Sequence, residues 1–188
     1  MDNNYFDGYY NNYMDSNYMG NNYMNNNYMN NNYMSNLYPN NYYNQYNRMY
    51  ENILKDYGPN PFVINIEEAT KENNTFRTAL WTGEHLQLTL MSIPVGGSIG
   101  LENHPDTDQF LRIEQGDGLM QMGQSKENLN FQRRVYNNYA IIIPAGTWHN
   151  LINIGNIPIK LYSIYAPPKH PKGTVHLTKA EADEEENH

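Results

Sequence analysis

The chain has 188 residues, with 12 Lys and Arg against 20 Asp and Glu for a net charge of −8, and it has no cysteine. The length allows one ordinary domain with an appendage. The missing cysteines exclude disulfides, thiol catalysis and zinc–thiolate sites, and the acidic balance, with no Lys/Arg cluster, argues against nucleic acid or a membrane surface as partner.

Residues 1–43 are dominated by Asn, Tyr and Met. Of 18 tyrosines, 14 lie at or before Tyr57, and Tyr-Met pairs recur every five residues from Tyr13 to Met34. A period of five fits neither a helix nor a strand. Asn favours turns, and with almost no Val, Ile or Leu the segment buries too little to offset its ordering entropy. It is expected to be disordered in the isolated chain. Its stacking tyrosines and ladder-forming asparagines suit a self-association or cross-linking arm, and simple repeat slippage is the bland alternative. Over 44–58, Tyr46, Met49, Tyr50, Ile53, Leu54 and Tyr57 follow helical spacing, and Gly58-Pro59 supplies a stop. One short amphipathic helix is expected there.

From Pro61 the pattern changes to short strands: "FVINI" (62–66), "RTALWT" (77–82), "LQLTLMS" (86–92), "DQFLRIE" (108–114), "GLMQMG" (118–123), "LNFQRRVY" (129–136), "YAIII" (139–143), "HNLIN" (149–153) and "IKLYSIY" (159–165). About nine evenly spaced strands with no helix between them predict an all-β antiparallel barrel or sandwich over 59–170. Beyond residue 171, Thr178 and Glu181 have the form of a capping box, which predicts a short, acidic, solvated helix. No apolar run reaches membrane-spanning length and no leader pattern opens the sequence, so a cytoplasmic location is expected.

A buried polar residue in a small barrel is costly unless it is paired or bound to metal. Glu102 and His104, two residues apart, share one face of an extended segment. Gln109 opens the next strand inward, and His149 opens another some forty residues on. Two imidazoles, a carboxylate and an amide oxygen form a reasonable ligand set for one divalent ion of the Zn, Mn, Fe, Co or Ni type. Asp106, Asp108 and His85 are expected at the surface. Trp148, Tyr162, Tyr165 and Arg112 are expected to be structural, while His170 and His176 are weak site candidates.

Gly96, Glu102, His104, Gln109 and Gly116, followed by Asn138, Pro144, Gly146, His149 and Asn153, resemble in order and spacing the two signature motifs of the cupin superfamily. The resemblance spans roughly residues 62–170 and implies a double-stranded β-helix. Its pattern is closest to small single-domain cupins labelled mannose-6-phosphate-isomerase-like. Glu102 stands where the family usually has His and Gln109 where it has Glu, so the carboxylate is relocated with its charge preserved. Asn138 replaces a turn Gly whose left-handed conformation Asn tolerates. The resemblance also implies a homodimer.

Three functions remain open on these residues. The first is a metal-dependent binder or enzyme acting on a small polar metabolite such as a sugar or sugar phosphate. An isomerase version would have Glu102 or a nearby base move a proton, and a dioxygenase version would need iron. The second is a structural protein of a spore coat or surface layer, with the barrel as anchor. The composition of the tail loosely resembles such proteins. The third is a sensor that binds without turnover.

Overall fold

The computed structural model describes residues 55–186. The Asn/Tyr/Met-rich segment and most of the expected 44–58 helix lie outside the described residues, and 56–60 run through a turn. Two antiparallel sheets face each other. The larger has the order β6-β3-β8-β2-β1-β9, from β1 (Arg77–Thr82), β2 (Gln87–Ile93), β3 (Asp108–Gln115), β6 (Ala140–Ile143), β8 (Ile159–Ala166) and β9 (Val175–His176). The smaller has the order β5-β4-β7, from β4 (Asp117–Gly123), β5 (Phe131–Tyr136) and β7 (Trp148–Asn153). Residues 97–102 run along the free edge of β7, bridging Ser98 to Ile152 and Glu102 to His149, as an interrupted fourth strand.

Strand alternation sorts the interior into layers. Across β2, β8 and β3, Gln87, Tyr165 and Gln109 stand in one row, and Thr89, Ser163 and Leu111 in the next. Met91, Leu161 and Ile113 follow, then Ile93 and Ile159. The barrel is therefore polar at one end and apolar at the other, where these aliphatics join Ile99, Met120, Val135, Ile143 and Leu151 in one buried cluster. Each fully buried aliphatic side chain contributes about 1.5–3 kcal/mol through burial, so the apolar end can carry a polar chamber above it.

Two helices depart from the sequence reading. "FVINI" does not form a strand: Asn65 caps α1 (Ile66–Glu72), its side chain accepting from Glu68 N at 3.3 Å. Ala69 of α1, with Phe62, Ile64 and Ile66, covers Leu80, Leu88, Leu90 and Tyr162 on the outer face of the large sheet. The run is apolar because it caps a sheet face, and apolar periodicity over five residues does not separate these cases. The C-terminal helix α2 (Lys179–Glu186) starts as expected, with Thr178 Oγ1 accepting from Glu181 N at 3.3 Å. It is more than a solvated tail, because Ala182 is buried in the main core cluster. Asn138 adopts the left-handed conformation expected of it, with φ 70°. Gly116, at φ 94°, also lies so close to β8 that an added Cβ would sit 2.9 Å from Ile159 Cα.

Asp56 ties the first described segment to the barrel. Its carboxylate accepts from the backbone N–H groups of Gly58 (2.9 Å), Thr82 (3.0 Å) and Gly173 (3.0 Å), and from the Thr82 hydroxyl. Burial alone would raise its pKa, and these hydrogen bonds together outweigh burial and hold it below the usual carboxylate range. Asp56→Ala leaves four donors without their shared acceptor and is expected to cost about 2 kcal/mol, or a fall in Tm of roughly 5–10 °C. A calorimetric shift of less than a degree would show that Asp56 does not fasten this segment.

Candidate metal centre

Two loops build the centre. Residues 102–108 and the turn before β7 are laced by backbone and side-chain bonds: Glu102 and His149 exchange N–H···O=C bonds of 3.0 and 2.9 Å, Gly146 N donates to His104 O at 2.8 Å, and Ala145 N donates to Asp108 Oδ1 at 2.8 Å. Asp108 is exposed as expected, and its role is to hold the second loop against the first.

The lacing brings Glu102, His104 and His149 together, with their ligand atoms all within 4.8 Å of one another. Glu102 Oε1 lies 3.5 Å from His104 Nε2 and 3.3 Å from His149 Nε2. Both are longer than the ~2.9 Å mode of a hydrogen bond. Two ligand atoms about 2.1 Å from a shared ion, at tetrahedral or octahedral angles, lie roughly 3.0–3.4 Å apart. The spacing therefore fits shared coordination better than direct hydrogen bonding.

His149 Nδ1 lies 2.8 Å from Thr147 O. A carbonyl only accepts, so Nδ1 carries the proton and Nε2 keeps the lone pair in the neutral ring. Gln109 is oriented in the same manner: its Nε2 donates to Ser163 Oγ at 3.1 Å, leaving Oε1 as the atom available to a ligand. His104 Nδ1 and Nε2, His149 Nε2, Gln109 Oε1 and Thr89 Oγ1 are all buried without a hydrogen-bond partner. Such atoms are rare in a folded interior, and a divalent cation with its water would satisfy this donor set. Three of the four residues of the sequence reading are thus brought together, and Gln109 stands beside Tyr165 in the same polar row of the barrel.

Electrostatics suit that role. Burial alone would raise the pKa of Glu102, but contacts to His104 and His149 and the Arg77 charge outweigh it and hold the carboxyl well below its usual range. Arg77, from the inward face of β1, is 1% exposed, and its Nη2 lies 4.0 Å from Glu102 Oε2. The sequence reading missed it, because a lone Arg opening an alternating strand looks like a solvated end.

Tyr165 is fully buried and stands edge-on to His104 with ring centroids 5.7 Å apart. His170 packs edge-on against its other side at 5.1 Å. Gln87 clasps the His170 backbone, donating to its carbonyl at 2.9 Å and accepting from its N–H at 3.0 Å, and also donates to Thr82 Oγ1. Thus Tyr165 and His170, set aside or rated weak from sequence, form the wall behind His104. His176 instead binds Glu185, and His85 is exposed. Arg112 lies on the outer face, paired with Glu114 at 3.0 Å and Asn138 at 3.0 Å. Lys160 also faces outward, bonded to Asn73 O and Asn74 Oδ1, with its pKa lowered to about 8 by burial.

A family model described as a cupin domain matches residues 89–165. The uncharacterized protein YrkC of Bacillus subtilis (strain 168) is 71% identical over 130 residues, 69% of this chain and 70% of that one. The chain belongs to the cupin superfamily. Another relative is the uncharacterized protein L612 of Acanthamoeba polyphaga mimivirus, 38% identical over 122 residues, 64% of this chain and 74% of that one. The crystal structure of BH2720 from Bacillus halodurans matches this cupin with a TM-score of 0.69 and 66% identity, covering 69% of this chain and 98% of that one. No helix among the described residues of this cupin is long and apolar enough to cross a membrane.

Burial pushes the pKa of His170 down to about 3, with the Arg77, His104 and His176 charges adding to it and Glu102 opposing. The ring stays neutral in the fold, whereas in the unfolded chain it takes a proton near pH 6.5. Below that pH the unfolded state binds more protons, so stability contributed by this group falls as pH drops from about 6.5 toward 3, by at most ~1.4 kcal/mol per unit. Denaturant titrations at pH 6.5, 5.5 and 4.5 are expected to show a shallower decline for His170→Gln than for the unmodified chain. Parallel declines would assign the acid sensitivity to other groups.

Proposed function

We propose that this cupin holds one divalent metal ion of the Mn, Fe, Co, Ni or Zn type through Glu102, His104, His149 and the Gln109 oxygen, and uses it to bind or transform a small polar metabolite inside the barrel. The observation that carries this reading is the buried Glu102–His104–His149 cluster, whose ligand atoms lie within 4.8 Å of one another while His104 Nδ1 and Nε2 and His149 Nε2 lack hydrogen-bond partners. The bound ion would polarise a carbonyl or hydroxyl oxygen or lower the pKa of a bound water.

The chain's own residues set the remaining terms. Thr147 O fixes the His149 tautomer, Ser163 aims the Gln109 amide, and the Tyr165 and His170 rings exclude water behind His104. Glu102, held ionised by its neighbours, is suited to holding a cation and is a weak proton acceptor. A sugar-phosphate isomerase of the mannose-6-phosphate type is the less favoured form of the proposal. Arg112 and Lys160, two cations that a phosphate group could have used, both face away from the chamber and are engaged elsewhere.

Elemental analysis of protein purified without added metal is expected to give close to one equivalent of a first-row divalent ion. His104→Ala and His149→Ala are each expected to lower that occupancy at least tenfold. Less than a few tenths of an equivalent, together with no thermal stabilisation on adding Mn, Co, Ni or Zn, would overturn the proposal.

A further inference from the structure

Outside the barrel interior, a buried cation stands beside a cavity that the metal centre does not use. Ser92 and Lys160 pair across β2 and β8, two positions beyond Leu90 and Tyr162 on the outer face of the large sheet. The cover that α1 gives this face ends at Glu72. A cavity of about 400 Å³ opens there, between residues 74–76, the 94–98 turn and the 177–179 segment that leads into α2. That volume lies in the range of small-molecule sites. Phe76, Pro94, Pro158 and Leu177 give the cavity apolar walls, and Lys160 and Lys179 are its two cations.

The two lysines differ in their partners. Lys179 donates to both carboxylate oxygens of Asp183, at 2.6 and 2.7 Å, so its charge is matched. Lys160 is only 5% exposed, and its Nζ donates to Asn73 O and Asn74 Oδ1, which are neutral oxygens. Asn73 caps the C-terminus of α1, so it offers the partial negative charge of a helix end. An ammonium has three N–H donors, and no carboxylate among the described residues pairs with this one. A buried, unmatched ammonium is costly, in keeping with the lowering of its pKa to about 8. At neutral pH it still carries its proton.

From this juxtaposition of an unmatched cation and an apolar cavity, we infer that the cavity is a second binding site, for a monocarboxylate with a hydrocarbon body. The carboxylate accepts the third Lys160 N–H and supplies the missing charge, and the apolar walls take the hydrocarbon. A single unmatched cation suits a single negative charge. Phosphate or a dicarboxylate brings a second charge with nothing to meet it, and an alcohol leaves the ammonium unmatched. Leu177, 61% exposed, leaves the cavity open to solvent at its rim.

This site is independent of the metal centre, and the test keeps the two apart. Octanoate, 1-octanol and inorganic phosphate are titrated into the full chain by calorimetry at neutral pH, with and without EDTA. Octanoate is expected to bind one equivalent, at least tenfold more tightly than the alcohol or phosphate, with the same affinity in EDTA. Nuclear Overhauser contacts from octanoate to Leu177 and Phe76 are expected to locate it on the unmodified chain. Lys160→Met, close in length but uncharged, is expected to lose at least tenfold in octanoate affinity and to narrow the gap to the alcohol. Octanol or phosphate binding as tightly as octanoate would overturn the ligand class, and loss of octanoate binding in EDTA would assign the acid to the metal instead. No saturable octanoate binding up to about 10 mM, or contacts confined to other residues, would overturn the site itself. The ligand comparison and the contacts decide the matter whether or not Lys160→Met folds.

Discussion

The backbone lacing between residues 102–108 and the turn at 144–149 is the constraint on which the centre depends. Glu102 and His149 exchange two backbone hydrogen bonds, so their side chains leave neighbouring positions on adjacent strands. The bond from Gly146 N to His104 O then fixes the second imidazole relative to the first. None of these bonds involves a ligand atom. The three ligands are thus positioned by the main chain, and the side chains need only short, well-packed rotamers to converge. Asp108 extends the same logic from the surface by accepting from Ala145 N.

A second dependence runs along the barrel. Four layers of inward side chains pass from amide, hydroxyl and phenol groups at the chamber to Ile93 and Ile159 at the far end. The polar layers contribute little to stability on their own, and several of their atoms lack partners in the folded chain. The apolar layers and the outer-face cluster under α1 supply the surplus that permits this. Function is concentrated where local packing rules are broken, and stability where they are obeyed.

The sequence made the strands and the ligand set visible because both rest on spacing. Alternation located all the long strands to within a residue or two, and the two motifs singled out Glu102, His104 and His149, which the fold brings together. What it concealed was tertiary. Ile64 and Ile66 belong to a segment that caps a sheet face, and their pattern reads equally as a strand until the sheet they cover is known. Ala182 is too small for periodicity to mark as buried. Arg77 is informative only through what lies beside it, Glu102 being 25 positions away in sequence. Tyr165 and His170 gain meaning from a contact between β8 and the crossing that follows it.

The fastening at Asp56 has a consequence for the polar chamber. From Asp56 an unbroken line of contacts runs through the Thr82 hydroxyl to Gln87, from Gln87 to the His170 backbone, and from the His170 ring across Tyr165 to His104. Asp56 is therefore fastened at the polar end of the barrel rather than at the apolar end. A displacement of Asp56 would reach His104 through four intervening residues, Thr82, Gln87, His170 and Tyr165.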